Sequence, residues 1–139
     1  MKSTMRYLLF LMALGIFYSC DSKTESVEMN ALETGRQFIR ASLDGNFKIA
    51  EPLILTDAEN QQQFQRFETF YSNMPEADKN KYKASSYEIN KFLEVNDSVT
   101  IINYSNSYMK KPMEIKLIRV NKAWMVDFKY TSSGNLPID

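Results

Sequence analysis

Residues 85–130 read SSYEINKFLEVNDSVTIINYSNSYMKKPMEIKLIRVNKAWMVDFKY, and this stretch decides the fold. Three turn signals divide it at near-regular spacing: Asn96-Asp97, Lys110-Lys111 before Pro112, and Asn121-Lys122. They predict strands over about 85–95, 98–109, 113–120 and 123–130. Treating each signal as a two-residue hairpin loop fixes the register and assigns side chains to faces. The three hairpins then pair Ile89 with Tyr104, Tyr104 with Leu117, and Leu117 with Val126. The neighbouring rows are Tyr87–Asn106–Ile115–Phe128, Lys91–Ile102–Arg119–Trp124, and a partial Tyr108–Met113–Tyr130. All three hairpins place their apolar residues on one face, as a four-stranded antiparallel meander requires. The other face carries Glu88, Asn90, Glu94, Asn103, Ser105, Ser107, Glu114, Lys116, Asp127 and Lys129, interrupted by Phe92, Ile101, Ile118 and Val120.

Upstream, the period changes from two to that of a helix. Leu32, Ile39 and Leu43, with Ala31 and Phe38 beside them, form an apolar stripe that stops at Asp44-Gly45-Asn46. Asn46 is the expected cap of a short helix over residues 47–53. Thr56 or Asp57 is the expected cap of a third, with Phe64, Phe67, Tyr71 and Met74 on one face. Pro75 opens a fourth, reaching Tyr82. Helices first and an antiparallel sheet after give an α+β class, with the helices packed on one face of the sheet.

Downstream of residue 130 only a short tail, 131–139, remains. Upstream of residue 29 the chain reads as an address. Lys2 and Arg6 precede an uncharged apolar run, YLLFLMALGIFYS (7–19). Its 13 residues fall short of the roughly 20 that a spanning helix needs, so residues 1–19 are expected to be a signal peptide. Phe17 makes a poor ordinary cleavage site. Phe17-Tyr18-Ser19-Cys20 instead resembles a bacterial lipobox, and Cys20 is the sole cysteine, placed where the run ends. The resemblance implies a thioether-linked diacylglycerol on Cys20, usually with an N-acyl chain such as palmitate. The polar DSKTESVE (21–28) is then a tether. This predicts a protein held in the bacterial cell envelope by its lipid, with the outer membrane as the first expectation.

Without residues 1–19, 120 residues remain, with 15 basic and 17 acidic side chains. That is enough for one domain, and a net charge near −2 argues against a nucleic-acid partner. The chain has no histidine. This excludes His-based triads, His general bases and the usual zinc sites. No calcium-loop motif and no Gly-rich phosphate loop occur. No metal or other cofactor is expected.

RQFIRASLDGNFKIAEPLI (36–54), SSYEINKFLEVNDSVTIINYS (85–105) and KLIRVNKAWMVDF (116–128) resemble a group of bacterial lipoproteins classed as a domain of unknown function. That group belongs to the cystatin-like cone superfamily, founded on nuclear transport factor two. The resemblance covers about residues 28–130. It implies a curved sheet wrapped around a long helix, with room for a pocket, and pairing of two copies through the exposed sheet. It implies no particular activity, because this fold hosts many.

Two sets of residues are candidate binding groups. Tyr87, Tyr104, Tyr108 and Tyr130, with Asn106, form a row of phenols around an amide on the helix-facing side of the sheet. Arg119 and Trp124, with Lys91, suggest a cationic patch. The plainer alternatives are ordinary core for the first and a snorkelling sheet edge for the second. The expected inner face carries no Asp or Glu, so a proton-transfer enzyme would need a base from a helix: Glu33, Glu51, Asp57 or Glu68. The leading expectation is therefore a non-catalytic, lipid-anchored binding module. Its partner would be an envelope protein, a glycan or a small amphiphile. The alternatives are a ketosteroid-isomerase-like or dehydratase-like cone enzyme, and an accessory lipoprotein acting through the exposed sheet at Ile101, Ile118 and Val120.

Overall fold

The computed structural model describes residues 29–132; the leader, Cys20 and the tether lie outside them. Helix α1 spans Ala31–Asp44 and α2 Phe47–Ala50, followed by a 3-10 turn at Glu51–Leu53. Helices α3 (Ala58–Asn73) and α4 (Glu76–Lys83) complete the helical half. Strands β1 (Tyr87–Asn96), β2 (Val99–Asn106), β3 (Pro112–Val120) and β4 (Ala123–Val126) follow, then a short helix α5 (Phe128–Ser132). The sheet is antiparallel in the order β1-β2-β3-β4. The expected α+β architecture, helices before sheet, is the one observed.

The helix ends follow from local chemistry. The Asn30 side chain accepts from the Glu33 amide at 2.9 Å and caps α1. Gly45, at φ 66°, ends α1 in the left-handed region. Asp57 caps α3 through the Asn60 amide at 3.1 Å. Asn46 makes no side-chain cap bond, so α2 lasts one turn before the 3-10 turn carrying Pro52 takes over. Arg40 fastens α1 to the end of α4. Its guanidinium donates to the Ser85 and Lys83 carbonyls at 3.0 Å each, and to Asp44 at 2.8 Å. These carbonyls lie at and just beyond the negative end of α4, where a cation is favourable.

The core fills the space between helices and sheet. Phe38 and Ile39 from α1, Phe64 and Phe67 from α3, Ile102, Ile115 and Leu117 from the sheet, and Phe128 are all buried. Phe47, Phe64, Phe67 and Phe128 meet one another edge-on or tilted at 5.3–6.3 Å, a favourable aromatic geometry. Helix α1 comes so close to the sheet at Gly35 that a Cβ there would run into the Ile102 Cδ1 methyl.

The strands depart from expectation in three places. The β2–β3 connection is residues 107–111 rather than a two-residue loop. Tyr104 therefore pairs with Met113, and Ile102 with Ile115. The slip is by an even number, so every inner residue of β3 stays inner. The first hairpin turns at Asp97-Ser98, one residue later than expected, and two bulges in β1 absorb the offset. Ile89 still faces Tyr104, but Lys91 opposes Asn103, Phe92 opposes Ile102 and Glu94 opposes Thr100. Lys91 thus leaves the inner face, and Phe92 and Glu94 join it. The last strand stops at Val126 rather than 130. Phe128 is helical and enters the core beside Phe38 at 5.9 Å. The third hairpin is as expected. Leu117 pairs with Val126 and Arg119 with Trp124, and Asn121 and Lys122 both take positive φ, as a type I′ turn needs.

Helix α5 lies along the edge of β3 that the short β4 leaves open. The Asp127 amide donates to Lys116 O at 2.8 Å, and the Lys129 amide donates to the buried Asn60 side chain at 2.8 Å. On the far edge of β4, the Leu55 amide donates to Val126 O at 3.0 Å. The edges on this side of the sheet are thereby covered.

Candidate functional site

The tyrosines separate into one packed cluster and Tyr130, which lies apart from it. Tyr104 is buried on β2, and Tyr82 of α4, absent from the sequence-based candidates, is buried beside it. Burial first, and neighbouring phenols second (Tyr71 and Tyr108 for Tyr82, Tyr82 for Tyr104), push both well above their ordinary range, so they stay protonated. Tyr108 lies in the β2–β3 loop rather than in a strand, its ring edge-on to Tyr82 at 5.1 Å; Tyr82 meets Tyr71 at 5.9 Å. Tyr87 is half-buried against this cluster. The wall is therefore closed by aromatic packing. The helical carboxylates do not supply a base to it. Glu33, Glu51 and Asp57 are exposed, and Glu68 is half-buried. Among the described residues, no carboxylate hydrogen-bonds to Tyr82, Tyr104 or Tyr108.

Asn106 is buried and works as a loop anchor. Its Oδ1 accepts from the Tyr108 amide at 3.1 Å and the Met109 amide at 2.7 Å. Tyr130 departs furthest from its expected place. It sits on α5, and its hydroxyl reaches round the sheet to donate to Glu114 at 3.0 Å on the outer face. That bond raises the Tyr130 pKa, with partial burial adding to it. Lys116 stands 5.5 Å from the same ring and 3.4 Å from the buried carboxylate of Asp127. These contacts hold α5 to β3.

The Arg119–Trp124 pair is present, but the cationic patch is not. With Lys91 turned away, Glu94 and Asp97 line the depression beside Arg119. The charge there is mixed.

The outer face offers two surfaces of opposite character. Near the β2–β3 loop, an open depression of about 890 Å³ is lined by amides, hydroxyls and lysines, among them Asn90, Asn103, Ser105, Ser107, Lys110 and Lys111. A polar ladder crosses it. Ser105 donates to Asn90 at 3.1 Å, Asn90 to Asn103 at 3.0 Å, and Asn103 to Glu114 at 3.4 Å. The first bulge sets up this ladder, because Asn90 and Lys91 together oppose Asn103. The individual polar residues were visible in the alternation of the sequence; the bulge that gathers them was not. Toward the hairpin tips the outer face turns aliphatic at Leu93, Ile101, Ile118, Val120 and Met125.

Among the described residues, no group of three or more metal-ligating side chains occurs, and no helix is long and apolar enough to cross a membrane. No family model, curated protein or solved structure matches this chain.

Proposed function

We propose that this chain is a lipid-anchored protein of the bacterial envelope that acts as a non-catalytic binding module, and that it binds through the polar depression on its outer sheet face. The observation that carries this reading is the contrast between the two faces. The inner tyrosine wall is filled by side chains from α3, α4, β1, β2 and the β2–β3 loop, while the outer depression is open and rich in amide and hydroxyl groups. Such groups suit a ligand that is itself dense in hydrogen-bonding groups, namely a glycan or an extended polypeptide of the envelope, over a small amphiphile. The leader, the lipobox-like Cys20 and the order of elements support the anchored, cystatin-like reading.

Two experiments test it. Growth with labelled palmitate should label the wild type and leave Cys20→Ala unlabelled and released from membranes; label retained on the variant would sink the anchoring. Purified full-length protein should bind members of a panel of envelope oligosaccharides and extended peptides. Asn90→Ala should weaken that binding about tenfold, or ~1.4 kcal/mol, with little change in melting temperature. A blank panel, or an Asn90→Ala protein that binds as well as wild type, would refute the assignment of the depression.

A further inference from the structure

The end of the domain where the tether arrives is also its most apolar end. The β1–β2 tip (Asp97-Ser98) and the β3–β4 tip (Asn121-Lys122) share one end of the sheet. Met29, the first described residue, lines a groove with Trp124 and Met125 directly beside the second tip. Helix α1 then runs away from this end toward Ser85, where Arg40 is bonded. Six large apolar side chains stand exposed in residues 29–132. Five of them are Met29 at 40%, Phe92 at 38%, Leu93 at 43%, Val95 at 51% and Val120 at 41%. All five lie at Met29 or in the half of the sheet that carries the tips.

Eight residues lie between Cys20 and Met29, so nine Cα-to-Cα steps give a reach of at most about 32 Å at roughly 3.3–3.6 Å per residue. Strand β1, at ten residues, spans about 33 Å. A lipid on Cys20 therefore keeps the hairpin end within one domain length of the bilayer. At such short tether lengths the effective concentration is of millimolar order, and weak contacts suffice. The charges around the tips are Lys91, Arg119 and Lys122 against Glu94 and Asp97, so lipid phosphates meet no net repulsion.

We infer that the hairpin end of the domain rests on the lipid bilayer, with Val95 and Val120 in the interfacial layer and the polar depression held at the far end, facing away. This rests on the reading that Cys20 carries the lipid. An acylated Cys20 leaves a cysteine introduced elsewhere as the only free thiol. The full-length protein with Val120→Cys or Lys111→Cys, both exposed positions, would carry a polarity-sensitive fluorophore. Each would be reconstituted in phosphatidylethanolamine–phosphatidylglycerol vesicles. The label at 120 should shift to the blue, and spin-labelled lipids should quench it at least about twofold more than the label at 111. That is the difference expected of a site within about 5–10 Å of the headgroup–acyl boundary. Protein that floats with the vesicles while both labels stay equally aqueous overturns the bilayer contact alone. That result would leave the apolar end for a protein partner. Protein that neither floats nor incorporates palmitate overturns the anchor and this inference together.

Discussion

Replacing Gly35 by alanine sets two effects of known size against each other. Gly35 is inside α1, where alanine is favoured over glycine by about 1 kcal/mol. The added Cβ, however, runs into the Cδ1 methyl of Ile102 and comes to 3.2 Å from that of Ile115. Forcing a methyl into a filled core costs about 1–3 kcal/mol. The expected net is a loss of about 0–2 kcal/mol. Ile102→Val removes the offending methyl and alone costs about 0.5–1.5 kcal/mol. In the double variant the new methyl occupies the vacated space, and the helical gain is recovered. Its stability should lie within about 1 kcal/mol of wild type, a coupling of about −1 to −3 kcal/mol between neighbouring sites. Urea unfolding followed by Trp124, the single tryptophan, measures all four proteins. With a slope of about 1–3 kcal/mol/M, a 2 kcal/mol change moves the midpoint by about 0.7–2 M. Two results would refute the reasoning. Additivity within about 0.5 kcal/mol would mean that α1 does not bear on Ile102. A Gly35→Ala protein stabilised by the full ~1 kcal/mol would mean that there is room between helix and sheet, and the inner face would return as a ligand site.

Gly45→Ala should destabilise by at least about 1–2 kcal/mol for its left-handed backbone, and by more because the Cβ would meet the Tyr71 ring; thermal unfolding reads this, and an unchanged midpoint counts against the cap. Tyr71→Phe should be neutral or stabilising by up to about 1 kcal/mol, since its hydroxyl is buried with no hydrogen-bond partner among the described residues; a larger loss in chemical denaturation would reveal an unseen partner. Asn106→Ala should cost about 1–3 kcal/mol by orphaning two loop amides, and Asn106→Asp, which keeps the acceptor, should cost less. Asp57 has its pKa lowered by the Asn60 side chain and amide. A depressed folded pKa adds stability that is present above the ordinary value of 3.8 and is lost as pH falls through the lower folded value. Wild type should thus exceed Asp57→Ala in stability at neutral pH, with the gap closing below pH 3.8; a gap constant from pH 7 to 2 would contradict the capping role.

The parts of the fold written in short-range chemistry were legible in the sequence. Gly45 after Asp44, Asp57 ahead of the Phe64–Phe67–Tyr71 stripe, and Asn121-Lys122 each specify a local geometry that needs no knowledge of the rest of the chain. Faces were legible even where register was not. The β2–β3 loop is longer than Lys110-Lys111 suggested, but the period-two alternation makes an even slip invisible to side-chain orientation. An odd slip is different. The bulges of β1 leave no trace in composition, because Asn90 and Val95 each look like ordinary members of an alternating strand. The switch at residue 127 was illegible for a related reason. Phe128 and Tyr130 continue the alternation of β4, and what ends that strand is tertiary: α3 offers Asn60 to the Lys129 amide and an aromatic pocket to Phe128.

Those two bulges also account for the domain's polarity from end to end. Without the one at Asn90, Phe92 would point outward and Leu93 inward, and Lys91 would join Arg119 on the inner face. With it, Asn90 is free to bond both Ser105 and Asn103, while Leu93 lies on the outer face opposite Ile101. One inserted residue thus builds the polar ladder and the aliphatic end at once, on either side of itself along a single strand. Deleting Asn90 should close the bulge: Ile89 still faces Tyr104, Lys91 follows directly opposite Asn103, Leu93 stays outward opposite Ile101, and Ser105 loses its amide partner. If the polar depression binds and the hairpin end touches lipid, that deletion should impair binding, as Asn90→Ala does, and leave the bilayer contact of the hairpin end as in wild type. Loss of bilayer quenching together with binding would mean that the deletion shifts β1 past Lys91 as well, and would contradict this reading of the pairing.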